Sequence, residues 1–357
     1  MSTTLFVGTE KGLFALDSDD RRESWSLRGP MHKGWQVYSL RHVARDRTFW
    51  AGLSSRVYGA HLERSRDYGD NWEPVAGSPA FPEGSPRKLQ QIWSLAPGQA
   101  EGSLLCGVAQ AALFASGDGG QSWELNRGLD THPTREDWNP GAGGLCLHTI
   151  VPDARDPNRI YIGISAVGIF RSDDGGASWA IKNRGVQATI PDEDPKYTEI
   201  NRCVHKFVQD PTEPARLYQQ NHIGVFRSTD GGDNWERIEN GLPTHFGFPM
   251  VMHPRKPRTL FIVPQESDQF RMFPDGQPGV YRTDDGGDRW TRTHNGLGEP
   301  SFSGVLRNSM AVDGHDQPGV YIGTTGGEVY ASYDEGENWR RLPGLLPRIE
   351  ALAAIER

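Results

Sequence analysis

The sequence predicts an all-β protein made from one repeated unit: a single seven-bladed β-propeller, four antiparallel strands per blade, filling residues 1–357 as one domain. Three observations predict it. An octapeptide ending in Trp recurs seven times, at 18–25, 65–72, 116–123, 172–179, 228–235, 283–290 and 332–339. Before each copy come two short apolar runs joined by a tight turn, the pattern of a β-hairpin. Gly 43 and Pro 25 make turns frequent and long helices scarce.

The first unit opens with Leu5-Phe6-Val7-Gly8 and Gly12-Leu13-Phe14-Ala15. Its octapeptide, Ser18–Trp25, keeps Ser, Asp and Trp but carries Arg22 where Gly is expected. Ser65–Trp72 and Ser332–Trp339 follow the looser pattern Ser/Thr-x-Asp-x-Gly-x-x-Trp. Ser116–Trp123, Ser172–Trp179, Ser228–Trp235 and Thr283–Trp290 are near-identical. The fourth unit is representative: Ile160-Tyr161-Ile162-Gly163, then Gly168-Ile169-Phe170-Arg171, the octapeptide, and a short strand opening at the Trp. A further apolar run, such as Leu145–Val151 or Met250-Val251-Met252, makes four strands per unit. The copies start 47 to 56 residues apart, the length of a propeller blade. The first unit lacks the apolar run that precedes its hairpin, and Arg348–Ile355 is an orphan run of that type. The expectation is that this C-terminal strand joins the N-terminal blade and closes the ring.

Within the octapeptide, the Asp carboxylate and the Ser/Thr hydroxyl can accept backbone N–H groups of their own turn. Gly permits the left-handed backbone that reverses the chain, and the indole is large enough to bury between sheets. A calcium loop needs a different spacing, with Glu at its twelfth position, which no copy has. The octapeptides are therefore expected to be scaffold. They resemble the Asp-box, or BNR repeat, of sialidases, sortilin-type receptors, xyloglucan-cleaving glycosidases and the photosystem II stability/assembly factor. The resemblance runs the length of the chain. It implies a propeller whose boxes lie away from the functional face, and relatives that hydrolyse sugars, bind peptides or assist assembly.

Composition narrows the partners. No run of 18 apolar residues could cross a membrane, and the N-terminus has neither the basic nor the apolar region of a signal peptide. Three cysteines do not make a secreted disulfide framework, and the net charge of −8 disfavours nucleic acid and anionic membranes. A cytoplasmic protein is expected. No phosphate-cradling loop or nucleophile elbow is present, so no cofactor is expected. Cys146 and His148 align with Cys203 and His205. Two Cys and two His suit zinc, but duplicated blades reusing the same core residues are the favoured account of the pattern, and no metal is assigned.

The loops entering the innermost strands, and those between second and third strands, should form one face. They carry Trp35, Arg87, Lys88, Trp138, Asn201, Arg202, His222 and Arg307, the mixture of Arg and aromatic residues found on recognition surfaces. The segment 264–278 is longer than its siblings and would bring Glu266, Asp268, Phe270 and Arg271 over the channel mouth. The expected function is a non-catalytic binding or assembly module for a protein segment or a small anionic or carbohydrate ligand. The alternative is a glycoside hydrolase, which needs two carboxyls. Glu10, Glu199, Glu266, Asp268 and Glu350 are the carboxyls on that face, with Glu199 and Glu266 nominated. The Phe-Arg-Ile-Pro-like motif of sialidases is absent.

Overall fold

Each octapeptide reverses the chain through one set of hydrogen bonds. In Ser65–Trp72, Ser65 Oγ accepts the Gly69 N–H at 2.7 Å and donates to Asp67 Oδ1 at 2.8 Å, which accepts the Asn71 N–H at 2.9 Å. The same three bonds recur from Ser116, Ser172, Ser228, Thr283 and Ser332. The Gly residues that donate, from Gly69 to Gly336, have φ between 80° and 97°, a left-handed backbone that costs other residues about 1 kcal/mol or more. Hydrogen bonds from Asn71 hold the Asp67 carboxyl down at about 2, and those from Ser122 and Ser178 do the same for Asp118 and Asp174.

The first octapeptide departs from this register. Its acceptor is Asp19, one residue earlier than the spacing of the other copies puts it, taking the N–H groups of Arg21, Glu23 and Ser24 at 3.2, 2.9 and 3.2 Å. Arg22 itself adopts the left-handed φ of 57°. Trp25 Nε1 donates to its carbonyl at 3.1 Å, as Trp72 donates to that of Gly69 at 3.2 Å.

The computed structural model describes residues 1–141, 143–188, 199–298 and 300–357, and in these the chain is all-β apart from short helical turns. The strands form five sheets of four and one of eight. Four-stranded antiparallel sheets run Gln36–Val43, Thr48–Ser55, Gly59–Ser65, Glu73–Pro74; Ile92–Pro97, Leu104–Val108, Ala112–Ser116, Glu124–Leu125; and Leu147–Pro152, Ile160–Ile164, Gly168–Ser172, Ala180–Ile181. Two more run Val204–Gln209, Leu217–Asn221, Gly224–Ser228, Glu236–Arg237 and Gly247–Met252, Leu260–Pro264, Val280–Thr283, Thr291–Thr293.

In the eight-stranded sheet, Val305–Val312, Val320–Thr324, Val329–Ser332 and Arg340–Arg341 form one antiparallel half. Ile349–Glu356, Thr3–Thr9, Gly12–Ser18 and Trp25–Met31 form the other. A parallel bridge between Asn308 and Ala351 joins them. The C-terminal strand thus pairs antiparallel with the N-terminal one, from Thr3 opposite Glu356 to Thr9 opposite Ile349, as the orphan apolar run predicts. Outermost strands such as Glu73–Pro74, Glu124–Leu125 and Arg340–Arg341 are two residues long, whereas Trp25–Met31 has seven.

The chain divides into two compact units: Met1–Leu40 with Gln219–Phe226 and Arg237–Arg357, and Arg41–Tyr218 with Arg227–Glu236. Second strands such as Leu104–Val108, Ile160–Ile164 and Val320–Thr324 are buried along their whole length. The first unit packs Leu5, Val7, Val329 and Ile349 around Tyr321, and Phe261, Val280 and Ile322 around Trp339. The second packs Leu62, Ile92 and Phe114 around Trp50, and Leu147, Ile162 and Phe170 around Trp179. Each such buried side chain contributes roughly 1.5–3 kcal/mol.

Candidate functional site

A β-bulge or register shift interrupts the start of five strands, and chemistry-bearing residues sit at these positions. Gly8 lies opposite Ala351 and Thr9 opposite Ile349, so Glu350 is the extra residue. Gly247 faces Pro264 while Met250 faces Ile262, which puts the irregularity at Phe248-Pro249. Val305 faces Thr324 and Met310 faces Ile322, so Arg307 falls inside a longer bulge. In the second unit the extra residues are Trp93 and His148. A bulge releases its residue from the strand's alternation and re-aims the side chain, which is why bulges gather at functional sites.

In the first unit, one cluster forms around Phe248. The guanidinium carbons of Arg271 and Arg307 lie 5.3 and 5.8 Å from its ring centroid. Phe246 packs edge-on against Phe248 and against His222, each at 5.2 Å between centroids. His222 Nε2 is 3.8 Å from Asp268 Oδ2, and burial holds its pKa below the usual histidine range despite that carboxylate. Gln265 and Gln220, both fully buried, brace the cluster: Gln265 Nε2 donates to the Val305 carbonyl at 2.6 Å and Gln220 Nε2 to that of His245 at 3.0 Å. The long loop folds back on itself, with Glu266 N donating to Met272 O at 2.9 Å and Arg271 Nε to Asp268 O at 2.9 Å. Phe273 N ties it to Ser303 O at 2.8 Å. Phe270 and Phe302 stand exposed on its flanks, and Glu266 is exposed to solvent.

A second cluster in the same unit surrounds Glu350. Its side chain is 6% exposed, accepts a hydrogen bond from Gln36 and lies 3.4 Å from Arg348 Nε, while the Arg348 side chain is 47% exposed. Burial pushes the Glu350 carboxyl up to about 7, against the pull of Arg348 and Gln36, and the like charge of Glu10 adds to the rise. Glu10 N donates to Arg348 O at 3.1 Å, so the turn carrying Glu10 is fastened to the segment carrying Arg348. Trp35, beside Gln36, is half-buried. Arg307 is followed by Asn308, whose Nδ2 is 3.4 Å from the Tyr38 carbonyl. The Val305–Val312 strand therefore runs from the Phe248 cluster to the Glu350 cluster.

The second unit engages several of its sequence-predicted residues internally. Arg87 makes a two-pronged ion pair with Asp130, at 2.5 and 2.8 Å, with its guanidinium over Phe81. Arg202 is 7% exposed and donates to the carbonyls of Val186 and Ile200 at 2.7 and 2.8 Å. Trp138 is 5% exposed, packs on Phe170 at 5.2 Å and donates to Thr134 Oγ1 at 2.9 Å. Its indole is committed to the core. Lys88 is exposed, and Asn201 is half-buried in a left-handed turn with φ 64°. Glu199 is exposed and lines a polar pocket of about 260 Å³ with Lys182, Asn183, Arg184 and Asp233. Both ring nitrogens of His148 are engaged, with Thr149 Oγ1 at 2.9 Å and the Val204 carbonyl at 3.0 Å, and Cys203 Sγ takes the Ala166 N–H at 3.2 Å. Glu199 belongs to the second unit and Glu266 to the first. Of the five carboxyls nominated from the sequence, Glu350 is the one that is buried and sits at a bulge.

No family model matches the chain. Among curated proteins it is similar to a xyloglucanase of a Paenibacillus species, 23% identical over 283 residues, covering 78% of this chain and 23% of that protein. A xyloglucanase of Hypocrea jecorina is 22% identical over 250 residues, covering 63% and 27%. The chain thus spans about a quarter of the length of these relatives. Among solved structures it is similar to YCF48 from Cyanidioschyzon merolae, with a TM-score of 0.59, 15% identity and coverage of 89% and 88%. YCF48 bound to D1 peptide matches with a TM-score of 0.56 at 16% identity, covering 85% and 81%. The GH74 enzyme of Niastella koreensis matches at 0.55 with 13% identity, covering 97% and 68%. These likenesses concern the fold, and fit a propeller family.

Proposed function

We propose that the chain is a seven-bladed propeller of the Asp-box type whose first unit carries a non-catalytic recognition site for a protein segment or a small anionic ligand. The observation that carries this reading is the stacking of Arg271 and Arg307 on Phe248, flanked by Phe246 and His222. Arginines on an aromatic face, at a rim with exposed Phe270 and Phe302, combine charge, area and low conformational cost, the ingredients of a binding hot spot. Trp35, in the same unit, is a further contact residue on this reading. YCF48, a fold relative, has been solved with a bound peptide, which supports the protein-segment form of the reading. The net charge of −8 argues against nucleic acid as the partner, and among the described residues no helix is long and apolar enough to cross a membrane. A cytoplasmic setting is part of the proposal.

Selection of a random peptide library on the immobilised protein tests it. The wild type should enrich acidic peptides, and an Arg271→Ala, Arg307→Ala double variant should lose at least tenfold of that enrichment. Equal enrichment by both proteins would refute the assignment.

A second reading, a glycoside hydrolase, is favoured by the xyloglucanase relatives and by the raised pKa of Glu350, which suits a proton donor. Chromogenic glycosides and xyloglucan oligosaccharides separate the two readings, with Glu199→Gln, Glu266→Gln and Glu350→Gln as controls. Turnover abolished by one of these substitutions would overturn the binding-module reading.

A further inference from the structure

Arg348 and Glu350 are placed so that one can control the other. They lie two residues apart at the start of the strand Ile349–Glu356, where residues two apart share a side, with Arg348 Nε 3.4 Å from Glu350 Oε1. Their exposures are opposite: the carboxyl is 6% exposed and the guanidinium 47%. An exposed Arg beside a buried carboxyl has two possible counter-ions, the internal carboxylate and an anion arriving from solvent.

The surrounding groups leave the internal one weakly favoured. From the turn after Thr3–Thr9 come Glu10, whose like charge opposes ionisation of Glu350, and Lys11. The strand Gln36–Val43 supplies the Gln36 hydrogen bond, with Arg41 and His42 further along it. The strand Val305–Val312 carries Arg307, turned onto Phe248, and Val320–Thr324 carries no charge.

We propose that Glu350 is a proton-operated latch on Arg348: ionised, it retains the guanidinium, and protonated, it releases Arg348 to an oxyanion of a ligand at this face. The inference rests on the anionic-ligand reading above and adds a regulator to it. The group bound is an oxyanion, whether a carboxylate of a protein segment or a sulfate or phosphate of a small molecule. Ligand binding takes up a proton at Glu350 wherever that carboxyl is ionised beforehand, approaching one proton at alkaline pH. Burial already brings that carboxyl to about 7, so the latch works across neutral pH.

The test follows the Arg348 Nε–H resonance by NMR while sodium sulfate or sodium acetate is titrated in at fixed ionic strength. Sulfate is fully ionised from pH 6 to 8, and acetate is about 95% ionised at pH 6 and fully so at pH 8, a change too small to produce the effect. A latch titrating near 7 makes binding at Arg348 about tenfold tighter at pH 6 than at pH 8. Glu350→Gln should bind with the pH 6 affinity at both values. A response to acetate but not sulfate identifies a carboxylate ligand, and the reverse an inorganic-type oxyanion; either supports the latch if the pH dependence is present. Equal affinity of the wild type at both pH values, or an unchanged tenfold ratio in Glu350→Gln, overturns the latch and leaves the anionic-ligand reading standing. Failure of both anions to shift Arg348 in either protein overturns the latch, while the reading built on Arg271 and Arg307 stands or falls by the peptide selection. Should the variant not fold, a wild-type Arg348 resonance that moves with pH around 7 and responds to anion more strongly below it supports the latch, and a pH-invariant one overturns it.

Discussion

Arg22 and Asp313 form a buried ion pair, Nη1 to Oδ2 at 2.9 Å, with side chains 11% and 0% exposed. Arg22 occupies the left-handed position that Gly fills in the other octapeptides, and from there its guanidinium also reaches the Gln317 carbonyl at 2.8 Å and lies 4.6 Å from the Tyr333 ring centroid. Tyr321 Oη completes the site by donating to Asp313 Oδ2 at 2.7 Å. The departure from the repeat is a cross-link between the two halves of the eight-stranded sheet.

Restoring the repeat should therefore destabilise the protein. Arg22→Gly removes about 1 kcal/mol of backbone strain but leaves Asp313 buried with one partner fewer, a loss of about 3–5 kcal/mol. Urea denaturation should register a net loss of about 2–4 kcal/mol. A variant as stable as the wild type would show that the pair is not structural.

Glu350 makes stability fall as pH rises. Its folded pKa, about 7, lies above the usual unfolded value, so the ionised form disfavours the fold. Stability is greatest below the unfolded pKa, declines as pH climbs toward about 7, and levels off beyond it. Glu350→Gln should flatten that slope and exceed the wild type at pH 8 by up to about 3 kcal/mol. Parallel pH–stability curves for the two proteins would contradict this.

His253 works in the opposite direction. Its Nδ1 accepts the N–H groups of Arg255 and Lys256 at 3.1 and 3.0 Å, the turn-capping role that the carboxylates of Asp153 and Asp210 fill in their own loops. Protonating Nδ1 would face it with two donors, and burial lowers the pKa despite nearby Glu335. The stability it gives is present above the unfolded histidine pKa and lost as pH falls below it. His253→Asn keeps an acceptor that does not titrate, so thermal melts between pH 7 and 5 should shift less than those of the wild type.

Trp138 and Trp35 should separate packing from recognition. Trp138→Ala removes a buried indole and should cost about 3–5 kcal/mol by denaturant melt. Trp35→Ala, at a half-buried loop position, should cost less than about 1.5 kcal/mol while weakening capture of the peptides selected above. A large stability loss at Trp35 would make it a core residue.

The scaffold was legible because the octapeptide is local: Ser65, Asp67, Gly69 and Asn71 satisfy one another within seven residues, so their spacing carries the geometry. The C-terminal strand was legible because an unpartnered apolar run has few places to go. The site was less so. Arg87 and Arg202 look like ligand contacts in sequence, but Asp130 lies 43 residues from Arg87, and nothing local announces their pairing. Trp138 likewise reads as a free aromatic until Phe170 is seen against it. The bulge at Glu350 breaks the period-two alternation from which strand faces are read, so sequence alone could not tell that this carboxyl, among five, is turned into a buried setting. In the first octapeptide Arg22 holds the left-handed position of the missing Gly, and the spacing of the other copies did not announce that Asp19 would be the acceptor.

The shortness of the outermost strands bears on self-association. A sheet edge recruits another chain through a row of unpaired backbone groups, and edges of two residues such as Glu236–Arg237 or Arg340–Arg341, charged as well, offer too few to template one. Trp25–Met31 is the longer exception, and Pro30 interrupts its donors near one end. If the folded protein were driven to aggregate at high concentration, Trp25–Arg28 is the stretch from which edge-to-edge assembly would start, and a charged residue in place of exposed Leu27 is the change that would delay it.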